Sequence, residues 1–359
     1  MNKDIQKYLD ESVKNDIFPG CACAILKNDS IDYYCSGYKS IYPKQEKNNI
    51  DTLYDLASLT KVVATTPAIL KLIQDDLLSY ETCVHDIIPQ FRNREMTIFH
   101  LLTHTSGLPA DLNWDIYDNR YKIIEDICQV SENVLPNGHV IYSDLGYILL
   151  GIIVEEISKM PLDQFVYRYV FKPLQMTNTH YCIDTQKRVY CAPTEICIYT
   201  HKLLRGEVHD RKARCFNGIA GHAGVFSNVF DLAHYVRMIL NNGVYDDKVF
   251  LNEQYINDMF TCITPKSEVP RSVGFLTYSN DSIFSKYSST KTIAHTGFTG
   301  TSLYIDRENQ IGIILLSNRV HPTRENKLII PWRKNFHDYI MKYYTNKNVN
   351  IIKQYNKKL

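Results

Sequence analysis

A chain of 359 residues, 45% hydrophobic and 22% charged, is long enough for two packed lobes and has the composition of a globular, water-facing protein. Forty basic side chains against thirty-nine acidic ones leave a net charge of +1, so no charge excess draws the chain to nucleic acid or to an anionic membrane. The longest apolar run, residues 147–154, is too short to span a bilayer and contains Gly151.

The opening residues carry charges where a signal peptide needs an apolar stretch, and the ten cysteines form no C-x-x-C pair. Reduced, mostly buried thiols in a cytoplasmic protein are the expectation. Residues 4–15 read as a short helix with Ile5, Leu9 and Val13 on one face. Strands follow at 21–27 and 31–36, joined by the turn Asn28-Asp29-Ser30. Residues 59–78 are apolar on nearly every side, the pattern of a buried helix, with Pro67 kinking it or limiting its first part. The middle, 76–214, reads as mainly helical, its best helix at 145–159 and closed by Pro161. Residues 210–224, rich in Gly and Ala, read as a tight return into the main body. Ser227 is expected to cap a helix at 229–240. Three strands at 290–295, 301–305 and 311–317, then a helix at 332–344, close the chain. Strands at both ends with helices between predict an α+β fold. An antiparallel sheet domain (1–75 and 215–359) is flanked by helices and interrupted by a mainly helical domain (76–214), with the site between them.

A serine hydroxyl needs a neighbouring base to attack a carbonyl at neutral pH. In Ser58-Leu59-Thr60-Lys61 the serine and lysine share one helix face at the start of the most buried-looking helix. A buried lysine loses part of its preference for the charged form, which suits a proton acceptor. The S-x-x-K pattern recurs at Ser36/Lys39, assigned to a strand end, and at Ser288/Lys291, in a polar loop. Neither begins a buried helix.

The segment Tyr54-Asp55-Leu56-Ala57-Ser58-Leu59-Thr60-Lys61 resembles the active-site segment of the serine β-lactamase and penicillin-binding-protein family, in its class C β-lactamase-related branch. His100-Leu101-Leu102-Thr103-His104-Thr105-Ser106-Gly107-Leu108 is similar to a second recurrent stretch, and the resemblance covers roughly residues 15–320. It implies a β-lactamase/transpeptidase-like fold and an active-serine hydrolase. The family's second element is a tyrosine with asparagine two positions later. Tyr117-Asp118-Asn119 and Tyr278-Ser279-Asn280 match the letters in part or in full, but the setting of Tyr142-Ser143-Asp144 resembles the family's best. Tyr142 would then exchange protons with Ser58 and the leaving group. Asp144 departs from the usual asparagine. A carboxylate cannot donate to a substrate carbonyl, and beside Lys61 it favours the charged amine, which leaves Tyr142 as principal base.

The third element fits His295-Thr296-Gly297, followed by Phe298. The resemblance implies that His295 orients a substrate carboxylate or the Tyr142 phenol, with Thr296 lining the site. Gly297 would let substrate approach the strand, and the N–H groups of Ser58 and Phe298 would form the oxyanion hole. His100 and His104 have a zinc-compatible spacing but no glutamate between them, so packing is the better account. The glycine-rich 218–224 stretch lacks phosphate-loop spacing and reads as close backbone packing, with His222 at the substrate rim. No metal, nucleotide or other cofactor is implied. The expected function is acyl transfer to Ser58 and hydrolysis of a small-molecule or peptide substrate: a D-amino-acid peptide, a muropeptide or an ester. The alternative is a slowly acylated penicillin-binding sensor or non-catalytic homologue.

Overall fold

The computed structural model describes residues 2–112, 119–132, 134–136, 138–279 and 283–355, with side chains as far as 345. Tyr117, Asp118, Asn137 and Asn280 lie outside the described residues.

Seven strands form one antiparallel sheet: β1 (Gly20–Lys27), β2 (Ser30–Ser40), β3 (Glu46–Lys47), β4 (Leu276–Thr277), β5 (Thr292–Thr296), β6 (Ser302–Asp306) and β7 (Ile311–Ser317). Their order is β3-β2-β1-β7-β6-β5-β4, so the first strand of the chain pairs with the last, Cys21 opposite Ser317 and Lys27 opposite Ile311. The two ends of the sequence are therefore stitched together at the centre of the sheet. This is an α+β fold of the β-lactamase/transpeptidase-like type.

Strand β1 is buried almost throughout because both faces are covered. Its side chains alternate with the pleat: Ala22, Ala24 and Leu26 join one hydrophobic cluster, Cys21, Cys23 and Ile25 the other. The second cluster lies beneath α1 (Lys3–Lys14) and the C-terminal helix, where Ile5 and Leu9 meet Trp332, Phe336 and Ile340. The first lies under α2 (Thr66–Gln74), α3 (Asp144–Ser158) and, past the short α4 (Arg211–Cys215), α5 (Val229–Leu240). The C-terminal helix α6 runs Ile329–Tyr355, longer at both ends than the sequence pattern indicated, and Pro331 fits its first turn because no N–H is required there.

Two local expectations change. Asn228, not Ser227, caps α5 by accepting from the Asp231 N–H at 3.0 Å; Ser227 ends a short strand, Val225–Ser227, with its hydroxyl 2.7 Å from that of Thr179. Ser36 sits inside β2 rather than at a strand end, its hydroxyl 2.6 Å from Asp10. The helix beginning at Leu59 widens into a π-helical turn, Lys61–Thr65, and Pro67 stands in the first turn of the α-helical part that follows, α2. Proline supplies no N–H, and the Val62 carbonyl accepts a hydrogen bond from the buried Tyr235 hydroxyl instead.

Candidate active site

The turn that presents Ser58 is fixed before the helix starts. Residues Tyr54–Asp55 pair with Val225–Ser227, and the Leu56 N–H donates to the Val225 carbonyl at 2.9 Å. Ala57 then adopts φ 47°, a left-handed conformation that costs a non-glycine residue about 1–3 kcal/mol. The buried Asp55 carboxylate holds it there, accepting from the Ala57 N–H at 2.8 Å and the His209 N–H at 2.7 Å. The Thr299 and Thr301 hydroxyls hold the Asp55 and Leu56 carbonyls. Helix follows at once from Leu59, so Ser58 stands at its positive end.

Lys61 is fully buried on the next turn. Its ammonium donates to Ser58 Oγ at 3.1 Å, to Asp144 Oδ1 at 2.8 Å and to the His222 carbonyl at 3.2 Å. Burial alone would lower its pKa, as the sequence reading supposed. The attraction of Asp144, then of Tyr142, outweighs burial and raises it above the ordinary lysine range. Lys61 therefore rests as an ammonium. The Asp144 carboxyl, which burial would raise, is held far below the usual range by Lys61, His222 and Lys212.

The segment 141–144 is clamped by the chain around His104. Helix Ile98–Leu102 ends before His104, which sits at φ 58°, so His100 and His104 do not share a helix face. His100 instead caps that helix, its Nδ1 accepting from the Thr97 N–H at 3.1 Å. His104 Nδ1 accepts from the Ser143 N–H at 3.1 Å, and its carbonyl accepts from Ile141 at 2.9 Å. The Ser143 hydroxyl donates to the Pro109 carbonyl at 2.7 Å. These bonds set Tyr142 beside the nucleophile and aim Asp144, at the start of α3, at Lys61.

The Tyr142 ring lies between two cations, Lys61 Nζ at 4.9 Å and the Arg271 guanidinium at 5.0 Å from its centroid, with the His295 ring 6.0 Å away. His295, on β5, donates from Nδ1 to the Thr296 carbonyl at 3.0 Å and leaves Nε2 buried without a partner. Burial, then Arg271 and Lys61, push its pKa well below the usual histidine value, so it is neutral. Gly297 is needed by the protein itself: a Cβ there would stand 2.1 Å from Thr301 Oγ1 and 2.4 Å from the Leu56 carbonyl. That close packing by itself forbids a side chain at this position.

Ser58, Tyr142, Phe298 and Arg324 line two adjoining cavities of about 380 and 670 Å³. The larger also includes His295, Thr296 and Gly297, and is strongly basic: Arg271, Arg319, Arg324, Lys327 and Arg333 face it against Glu325. Arg271 is buried, with Nε and Nη1 unpartnered, and burial lowers its pKa. Arg333 Nε is likewise unpartnered, and burial brings its pKa down to about 10. Sequence reasoning missed both arginines, which belong to no motif. It also missed Lys212, which donates to Asp111 Oδ2 at 2.7 Å and to Asp144 Oδ2. Asp144 was the signal available, because an extra buried carboxylate demands an extra cation. Asp144, Asp210 and His222 do bring ligand atoms within 4.8 Å of one another, but the Lys61 and Lys212 ammoniums already occupy both Asp144 oxygens. The glycine stretch packs as expected, the Thr65 hydroxyl donating to the Gly221 carbonyl at 2.6 Å.

The chain is similar to several known proteins. An Escherichia coli (strain K12) protein named as a D-alanyl-D-alanine carboxypeptidase is 33% identical over 309 residues, 77% of this chain and 71% of its own length. The Bacillus subtilis (strain 168) N-acetylmuramyl-L-alanine amidase is 30% identical over 360 residues, 88% of this chain and 81% of its own. An octameric penicillin-binding protein homologue from Pyrococcus abyssi superposes with a TM-score of 0.71 at 22% identity, covering 88% of this chain and 73% of that one. The Beta-lactamase family profile matches residues 5–335, and with carboxypeptidase and amidase relatives on either side this chain belongs to the beta-lactamase family of serine hydrolases.

Proposed function

We propose that the protein hydrolyses an amide or ester through an acyl-enzyme on Ser58, and that its substrate carries a carboxylate: a D-amino-acid peptide or a muropeptide. The observation that carries this reading is the buried Lys61 ammonium 3.1 Å from Ser58 Oγ at the head of a helix. In this reading Ser58 attacks the carbonyl, and the Ser58 and Phe298 N–H groups receive the developing oxyanion. Tyr142, entering the step as the phenolate, takes the serine proton because Lys61 is held charged by Asp144, and the phenol so formed returns it to the leaving amine or alcohol. Water then attacks the acyl-enzyme with the same groups acting in reverse. The buried guanidiniums of Arg271 and Arg333 support a carboxylate beside His295, since each has donors with no partner. The carboxypeptidase and amidase names of the relatives point to the same substrates. No disulfide joins any of the cysteines among the described residues, which supports a reducing, cytoplasmic setting; among the described residues no helix is long and apolar enough to cross a membrane.

The test is a screen of the purified protein and Ser58→Ala against p-nitrophenyl esters, D-alanyl peptides, muropeptides and cephalosporins. Ser58→Ala should abolish whatever turnover is found, and unchanged turnover refutes the assignment. The Lys61–Asp144 ion pair favours one competing reading, a slowly acylated sensor. Retention of a fluorescent penicillin for hours supports the sensor; rapid turnover of an ester supports the hydrolase.

A further inference from the structure

We infer that Lys212 is a positioning residue that divides the charge of Asp144 and thereby leaves Lys61 on Ser58 and Tyr142; this rests on the acyl-enzyme reading above. The two carboxylate oxygens of Asp144 are split between two lysines, Oδ1 to Lys61 and Oδ2 to Lys212. Lys212, at the start of α4, has a side chain only 6% exposed, and also meets Asp111 at 2.7 Å and Asp210 at 3.8 Å. Asp210 is held in turn by His222 Nε2 at 2.8 Å and by the Ala213 N–H at 2.9 Å. The His222 carbonyl accepts from Lys61 at 3.2 Å, which closes the circuit. Lys61, Asp144, Lys212, Asp210 and His222 are thus linked in one ring that Lys61 joins to the nucleophile.

The family pattern places an amide where this chain has Asp144. An amide makes no claim on the lysine charge, whereas a lone carboxylate 2.8 Å away would draw the ammonium from Ser58 and add a negative charge near Tyr142. Lys212 restores the balance: one extra anion, one extra cation. A role confined to anchoring α4 would lower stability when lost, but would not respond to the residue at position 144.

The experiment measures kcat, KM and the pH profile of kcat/KM on a p-nitrophenyl ester for wild type, Lys212→Met, Lys212→Arg, Asp144→Asn and the Asp144→Asn/Lys212→Met double variant. Tyr142 faces Lys61 from the nucleophile helix, His104 from the preceding segment, Arg271 and His295 from the sheet side, and Asp144 on its own segment. Asp144 faces Lys61, Lys212 and His222, with Asp210 beyond them. Removing Lys212 alone makes this set one unit more negative, so the acidic limb should move to higher pH. We expect kcat of Lys212→Met to fall about 100-fold, the low end of what a displaced proton-transfer group costs, with KM changed much less. The double variant has the same net charge as wild type. It should return to within about fivefold of Asp144→Asn, the non-additivity expected of residues that share a partner. Lys212→Arg should keep part of the activity. If Ser58→Ala is dead while Lys212→Met keeps the wild-type kcat and pH profile, the inference is overturned and the hydrolase reading stands; if Ser58→Ala remains active, the hydrolase reading itself fails. Should Lys212→Met not fold, the double variant decides alone: activity near Asp144→Asn supports the inference, and inactivity overturns it.

Discussion

Replacing Arg271 by methionine should make the protein more stable and less active at once. Arg271 is 5% exposed, and two of its donors, Nε and Nη1, have no partner. Each buried unsatisfied donor costs about 1–3 kcal/mol, so relieving two restores about 2–6 kcal/mol. The contact with the Tyr142 ring at 5.0 Å returns about 1–2 kcal/mol to the native side. The difference is a net gain of about 0–5 kcal/mol for the variant. Unfolding entropy of about 2 cal/mol/K per residue makes each kcal/mol worth about 1–2 °C in a chain of this length, so Tm should rise, by up to about 7 °C. A substrate carboxylate that bonds to the guanidinium would lose about 1.5–3 kcal/mol, or roughly 10–150-fold in kcat/KM. Calorimetry and parallel assays on a D-alanyl peptide and a neutral p-nitrophenyl ester check this. The peptide should suffer and the ester much less. A fall in Tm, or equal losses on both substrates, would refute the assignment of Arg271 to a ligand.

The remaining expectations concern the scaffold and its response to acid. The carboxyls of Asp144 and Asp210 are held below their unfolded values, and His104 and His295 are held below theirs. Depressed folded pKa values contribute stability above the unfolded pKa and lose it as pH falls. Histidine-linked loss should therefore begin below about pH 6.5 and carboxylate-linked loss below about pH 4. Melting curves across pH should flatten in the lower window for Asp210→Asn. Gly221→Ala should yield little soluble protein, because a Cβ there lies 2.0 Å from the Tyr147 carbonyl and 2.9 Å from the Gly151 N–H. Asn228→Ala should cost about 1 kcal/mol by removing the α5 cap, seen as a shift in denaturant midpoint with m unchanged.

The sheet was legible in the sequence because β1 and β7 carry apolar residues on consecutive positions, as strands covered on both faces must. Ser58 and Lys61 were legible as a local pair, and Tyr142 and His295 by the setting of their motifs. Arg271 and Lys212 were not, since each is an ordinary basic residue until folding carries Lys212 to Asp144 from 68 residues further along the chain and Arg271 to Tyr142 from 129 residues further (271 − 142). The charge state of Lys61 was legible only through the motif: burial by itself lowers the amine's pKa, and the carboxylate that reverses this, Asp144, was set beside Lys61 by the resemblance and not by any nearness in sequence. His104 was read as packing, and its bond to the Ser143 N–H gives that packing a purpose, because it carries the clamp that aims Tyr142.

The widened turn at Lys61–Thr65 has a consequence for how this helix tolerates change. One additional residue in a helical turn rotates everything downstream by about 100° relative to everything upstream. The side chains that hold the reaction and those that pack α2 therefore answer to different angular phases, although the helix is buried on nearly every side. Removing one residue from that turn would keep every amino acid type and still swing Ile69, Leu70 and Leu72 out of register with their pockets, so substitutions should be far better tolerated there than a deletion.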